Sequence, residues 1–259
     1  MKRICCLKIL GCLALALLMA TAGGNAGTPD AGMAAADALL QGPTLDPSQA
    51  EKALNMYERM LSSASAPRAL VLAKLARTSF ILGDLAPKKQ REGYYRKGQM
   101  YAAMLNREDP KRTEGHYWLA LNLCGEADAC GYMVGRRLLP KIIENLERSL
   151  ALSETYDQAG AHRVLGRIYF EAPAWPMSVG DLQKSLHHLQ AAVKLAPDNS
   201  TNHLYLAQTL YGLHYRSLAQ QQLELVLKCT QYSVKPQDLE EDHQEARRLL
   251  TDMGAVTPP

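Results

Sequence analysis

From Asp46 onward the sequence is a succession of apolar stripes at three- and four-residue spacing, interrupted at short intervals by proline and turn residues. Leu182, Leu186, Leu189, Val193 and Ala196 keep to one side of a helix, as do Ala50, Ala53, Leu54, Tyr57, Met60 and Leu61. Positions three and four apart return to the same face of an α-helix, so each stripe needs a neighbour to bury it. No stretch sustains the two-residue alternation of a strand. Asp46-Pro47, Pro67, Asp109-Pro110, Pro197-Asp198 and Pro236 supply the stops and starts. The pattern predicts an all-α chain of about ten helices, over residues 47–63, 67–82, 88–107, 113–124, 136–152, 158–171, 181–196, 200–213, 216–229 and 237–252.

Two stretches share one internal logic. Ala161 to Tyr169 places Leu165-Gly166 and Tyr169 on a first helix, and the following helix offers Ser185 and Ala192 as small residues, Leu189 as a large one and Pro197 as the stop. The next unit has Leu206-Ala207, Leu210, Ala219, Leu223 and Val226. Small residues let paired helices approach, and large ones fill the space between them. These segments, 158–197 and 200–229, resemble tetratricopeptide (TPR) repeats, whose period is about 34 residues. Antiparallel helix pairs stacked in a right-handed solenoid are therefore expected over residues 46–254. Tyr101 to Pro110 and Ile142 to Leu152 resemble second helices of earlier units whose spacing is broken by insertions.

The N-terminus has a different character. Lys2, Arg3 and Lys8 precede the uncharged run Ile9 to Ala20 and then small residues, which is the pattern of a cleavable signal peptide over residues 1–26. The run is too short for the roughly 20 residues of a membrane span. Cys12 follows Ile9-Leu10-Gly11 in the manner of a lipid-attachment box, but almost no apolar residue precedes it, so an unlipidated periplasmic or secreted protein is expected. Residues 27–45, rich in Ala, Gly, Pro and Thr, read as a flexible linker with at most a short helix at Met33 to Leu40. Without the leader the 29 Lys and Arg fall to 26, matching the 26 Asp and Glu, and the basic surplus of a nucleic-acid binder is missing.

A second similarity is to the T component of tripartite ATP-independent periplasmic (TRAP) transporters. It lies in Tyr117-Trp118-Leu119-Ala120, in the helix Leu138 to Leu152, and in Tyr156 to His162 running into Leu165-Gly166. The resemblance implies an exported helical-repeat protein that assembles as a homo-oligomer and binds a periplasmic solute-binding subunit, passing a small apolar ligand.

Residues that could carry chemistry are few. The sequence lacks Gly-x-Ser-x-Gly, a phosphate-binding glycine loop, His-Glu-x-x-His and Cys-x-x-Cys, so neither a cofactor nor a metal is expected and the chain reads as a binding scaffold rather than an enzyme. A redox or metal enzyme using Cys124, Cys130 and nearby histidines is the third alternative. A Cys124–Cys130 disulfide requires the helix to stop near Gly125, because six helical steps of about 1.5 Å separate the Cα atoms by about 9 Å, beyond the tolerated ~7 Å. Two free buried thiols are the other reading. The segment Glu171 to Gly180 lengthens a turn that a regular repeat closes in a few residues, and Pro173 and Pro176 stiffen it around Trp175. Trp175 is then either a rigid binding anchor or a cover folded back over its own helix pair. Since first helices of such repeats line the concave face, the expected contacts with a partner protein are Tyr117, Trp118, Arg163, Tyr169, Trp175, His203 and Tyr211. Asn199-Ser200-Thr201 has the form of a glycosylation acceptor.

Overall fold

The helix starts are written locally. Asp46 accepts from the Ser48 amide at 2.7 Å ahead of Pro47, Asp181 accepts from the amides of Gln183 and Lys184, and Asn199 accepts from that of Asn202. In the computed structural model the described residues are 29–41, 45–229 and 236–254. They form eleven α-helices: α1 (Pro29–Ala38), α2 (Pro47–Ser63), α3 (Arg68–Leu85), α4 (Lys88–Glu108), α5 (Thr113–Cys130), α6 (Tyr132–Leu152), α7 (Tyr156–Glu171), α8 (Leu182–Leu195), α9 (Ser200–Gly212), α10 (Arg216–Lys228) and α11 (Pro236–Asp252). The only β feature among the described residues is an isolated bridge, Ala174 to Gly180. No described helix is long and apolar enough to cross a membrane. The expected signal peptide lies outside the described residues.

The fold is an all-α helical-repeat solenoid, divided at Leu152–Ser153 into two compact units. In the N-terminal unit, α1 to α6, each helix packs on its chain neighbour and α3 also packs on α5. The inner helices α3 and α5 are buried almost all round, whereas α2, α4 and α6 bury single stripes. Tyr95 of α4 is clasped between Gly83 of α3 and Gly125 of α5, where a Cβ at either glycine would overlap its ring. Its hydroxyl donates to Asp84 at 2.8 Å, and Phe80 lies 6.0 Å from both Tyr95 and Trp118. The same helices meet reciprocally farther along: Gly98 of α4 abuts the amide of Asn122, and Gly115 of α5 abuts that of Asn106. The Asn122 amide donates to the Ala76 and Trp118 carbonyls, tying the buried backbones of α3 and α5 together.

Three expectations are corrected here. Residues 27–45, expected as a linker with at most a short helix at Met33 to Leu40, instead carry α1 from Pro29, and Met33, Ala36 and Leu40 are buried. Asp37 accepts from the Tyr57 hydroxyl at 2.5 Å and from Lys74 at 2.7 Å. Helix α5 does not stop near Gly125, whose missing side chain serves Tyr95 instead; it runs to Cys130 and breaks at Gly131, in a left-handed conformation (φ +90°). Cys124 and Cys130 are consequently free thiols rather than a disulfide. Helix α6 begins at Tyr132, ahead of the predicted start, and passes through Pro140.

In the C-terminal unit, α7, α9 and α11 make up the inner layer, since α7 packs on α9 and α9 on α11, while α8 and α10 lie outside. Gly166 has no space for a Cβ because Leu189 of α8 presses against it, which is the close approach that the Leu-Gly pair predicted. Ala246 and Leu250 of α11, with Met253 just after it, complete the core around Leu206, Leu210 and Leu223, and the opposite side of α11 carries exposed charges. Asp242 on α11 accepts from the hydroxyls of Ser200 and Thr201 at 2.7 and 2.8 Å, fastening the last helix to the start of α9. Burial raises the Asp242 carboxyl above its ordinary range.

Candidate interaction groove

The inner helices of the C-terminal unit open toward their C-terminal ends into a groove of about 660 Å³. Helix α7 contributes Arg167, Phe170 and Glu171, α9 contributes Ala207, Gln208 and Tyr211, and α11 contributes Glu245, Arg248 and Leu249, followed by Met253. Spacings of three and four along each helix bring these residues to one side. The charges are internally matched. Arg167 pairs with Glu171, bonds Gln208 and lies 4.6 Å over the Tyr205 ring; Arg248 pairs with Glu245 and Asp252. What remains uncommitted is largely apolar, with Tyr211 46% exposed, apart from the buried Nε–H of Arg167, which has no acceptor. At the same end Gly212 lies against Phe170 and Leu182, so the α9–α10 corner sits beside the start of α8.

The segment between α7 and α8 is held by its own backbone. The Gly180 amide donates to the Pro173 carbonyl, those of Met177 and Ser178 to Ala174, and that of Asp181 to Tyr169. Gly180 packs onto the Ala172 carbonyl with no room for a side chain. Trp175 stands 85% exposed and Met177 66% exposed at its tip. The reading in which Trp175 folds back over its helix pair is overturned; the side chain is presented outward.

The other expected contact residues are corrected by their burial. Tyr117 and Trp118 are enclosed in the N-terminal core, and Tyr169 and His203 are buried. Arg163 is 2% exposed and is a structural cation: it donates to the backbone carbonyls of Asp157 and Gln158, to the Asp157 carboxylate at 3.1 Å and to Asn202. Those bonds hold Asp157, Gln158 and Ala159 in the left-handed region, with φ between 51° and 60°. An inner helix has neighbours on several sides, so most of its residues are core, and only Tyr211 at its open end, with Trp175 on the loop, is available to a partner. Asn199 is buried with its side chain engaged, which removes it as a glycosylation acceptor in the folded chain.

Among the described residues one group of three could interest a metal. Ligand atoms of Glu92, Glu126 and Cys130 lie within 4.8 Å of one another, but Arg96 already supplies a cation there, bonded to Glu92 at 2.7 Å and Glu126 at 3.0 Å. Burial, with Glu92 and Glu126 alongside, raises the Cys130 thiol, opposite to the shift of a reactive cysteine. The histidines of the inner helices follow a pattern of their own. The sequence His-x-x-Leu followed by Gly or Ala occurs on α5 (His116, Leu119-Ala120), α7 (His162, Leu165-Gly166) and α9 (His203, Leu206-Ala207). Each time, Nδ1 of the histidine meets the residue preceding a core leucine of the next helix: Asn145 at 3.2 Å, His188 at 2.9 Å and Gln222 at 2.7 Å. In the first and third, Nε2 donates to a proline carbonyl six residues earlier, Pro110 or Pro197. The repeated Pro-x5-His spacing was visible in the sequence and identifies α5/α6 as a unit equivalent to α9/α10.

A scan against protein-family models finds no match, and a search of curated proteins finds no significant relative. Among solved structures, the chain is similar to the crystal structure of a thermophilic TPR protein from Thermus thermophilus, with a TM-score of 0.63 at 18% identity, covering 85% of this chain and 100% of that one. The similarity establishes a TPR-like helical fold.

Proposed function

We propose that the protein is an exported, non-enzymatic scaffold that takes a segment of a partner protein into the groove formed by α7, α9 and α11. The observation that carries this reading is the groove itself: inner-helix surface that is core elsewhere is open here, apolar between matched charges, and bordered by the half-exposed Tyr211. Aromatic side chains with apolar bodies and polar tips are suited to such contacts. A photo-crosslinking amino acid in place of Tyr211 should capture one defined partner in the exported compartment. The same substitution at Gln220, on outer helix α10, should not. Equal capture from both positions, or none from Tyr211, would overturn the assignment.

The narrower reading, a TRAP T component that forms a homo-oligomer and docks a periplasmic solute-binding subunit, is supported by the sequence resemblance. Native mass spectrometry decides its assembly requirement: a strict monomer rejects it while leaving the groove reading intact.

A further inference from the structure

Trp175 and Met177 are the most exposed large apolar side chains among the described residues of the C-terminal unit, and Val179 is exposed two residues further on. Both feet of this segment stand against the α9–α10 corner, because a side chain at Gly212 would meet Phe170 and Leu182, which bracket it. Tyr215 and Leu218, which follow the corner, are half-exposed. From Ala172 to Gly180 there is no charged residue. The backbone of the segment is also largely spent. Pro173 and Pro176 have no N–H, and the amides of Ala172, Met177, Ser178 and Gly180 donate to carbonyls of the chain itself. Polar groups already bonded to one another leave water at far lower cost than free ones.

We propose that the Trp175 segment is a membrane-surface anchor whose tip enters the interfacial layer of an anionic phospholipid bilayer, with the α9–α10 corner alongside. Indole and phenol rings, apolar in body and polar at one edge, suit the boundary between headgroups and acyl chains. The contact is peripheral, since no described helix is long and apolar enough to cross a membrane. The charges around the segment favour an anionic surface. Its carboxylate neighbours are engaged: Glu171 by Arg167, Asp181 by the amides of Gln183 and Lys184, and Glu245 and Asp252 by Arg248. Lys184, which lies over the Tyr169 ring, and Arg216, which donates to the Met253 carbonyl, have no carboxylate partner among the described residues. A bilayer asks for apolar depth and a basic margin, and this end of the unit offers both. A protein interface is rimmed by directional hydrogen bonds, for which the tip has one side chain, that of Ser178.

The two tryptophans make the test specific, because Trp118 is buried in the N-terminal core while Trp175 reports the tip. The chain without residues 1–26, the form expected after export, removes the leader's own affinity for lipid. Mixed with vesicles of phosphatidylcholine and phosphatidylglycerol in equal parts, this chain should float with them. Its fluorescence should shift to the blue, and bromine-labelled acyl chains should quench Trp175. Trp175→Ala should weaken vesicle binding about tenfold, the order of one buried apolar side chain, with an unchanged melting curve. Lys184→Gln and Arg216→Gln should each weaken it about fivefold. Tyr132→Ala, at an exposed aromatic of α6, should leave it unchanged. A parent chain that stays in solution, binding without quenching, or binding that Trp175→Ala leaves intact overturns the proposal. So does a Trp175→Ala variant that loses the partner captured through Tyr211 when the parent ignores vesicles, which would assign the segment to a protein. Vesicle binding needs no occupant in the groove, so the two readings fail separately.

Discussion

The two units of the chain solve one packing problem by different means. In the N-terminal unit the inner helices close on each other through missing side chains: Gly83 and Gly125 admit Tyr95, and Gly98 and Gly115 admit the amides of Asn122 and Asn106. In the C-terminal unit Gly166 plays that part against Leu189, and buried polar groups join it, with Arg163 clamping a left-handed turn and Asp242 holding two hydroxyls. Glycine contacts bring the helices of a layer into close approach. Polar latches fix helices at chosen points and leave surface open between them, and the groove and the Trp175 loop are both found in the latched unit.

Breaking the strongest latch tests that contrast most severely. Arg163→Met removes the cation paired with the Asp157 carboxylate, 4% exposed, and leaves the turn to the weaker hold of Asn202 on the Gln158 carbonyl and Asn199 on the Gln158 side chain. Removing one partner of a buried pair costs about 3–5 kcal/mol. Denaturant unfolding should register that loss, and hydrogen exchange should place it in α7 to α9 with α3 to α5 still protected. A loss below about 1 kcal/mol, the order of one ordinary hydrogen bond, would mean that the latch is dispensable.

The complementary test overfills the glycine-packed unit. Gly125→Ala drives a methyl group into the Tyr95 ring, which is buried and tethered to Asp84, at a cost of about 1–3 kcal/mol. Protection should now fall in α3 to α5. Equal loss of protection in both units for either variant would dissolve the distinction between them.

How far these differences could be read in advance depended on where the signal lay. Helix α2 was predicted over its observed span because Asp46-Pro47 caps it explicitly. Helix α1 was legible only as a short helix at Met33 to Leu40, because its stripe is built mostly of alanine, whose burial leaves a weak periodic signal. Gly125 was read as a stop, yet a glycine in a helix serves equally to admit a neighbour, and only the approach of Tyr95 distinguishes the two. The contact residues failed for one physical reason. Helical spacing identifies the residues on a face but not the number of neighbours around that helix, and α5, α7 and α9 have several. The histidine pattern was legible, since three copies of His-x-x-Leu stand in the sequence, but the difference at His188 acquires meaning only when each partner is seen.

The Asp242 latch gives a smaller, pH-dependent effect. Burial raises this carboxyl in the folded chain, so folding favours its protonated form. The associated stability is fully present below the ordinary carboxylate pKa and is lost as pH rises through the folded value. Asp242→Asn keeps an acceptor for Ser200 and Thr201 without the buried charge. Its stability should stay within about 1 kcal/mol of the parent at neutral pH and depend less on pH across the acidic range. Asp242→Ala, which leaves both hydroxyls unpaired, should cost about 1–3 kcal/mol.

Trp175→Ala should have the smallest effect on stability, within about 0.5 kcal/mol, because the indole is outside the core while the loop is held by backbone bonds from Gly180, Met177 and Asp181. The chain has two tryptophans, and Trp118 is buried. Deleting Trp175 should therefore shift the remaining fluorescence toward that of an enclosed indole with an unchanged melting curve. If the latched unit is the one that meets a partner, recovery of the protein crosslinked through Tyr211 should fall in Trp175→Ala at full stability. Unchanged recovery would confine the contact to the groove, and a melting transition lowered by several degrees would return Trp175 to the packing of its own helix pair.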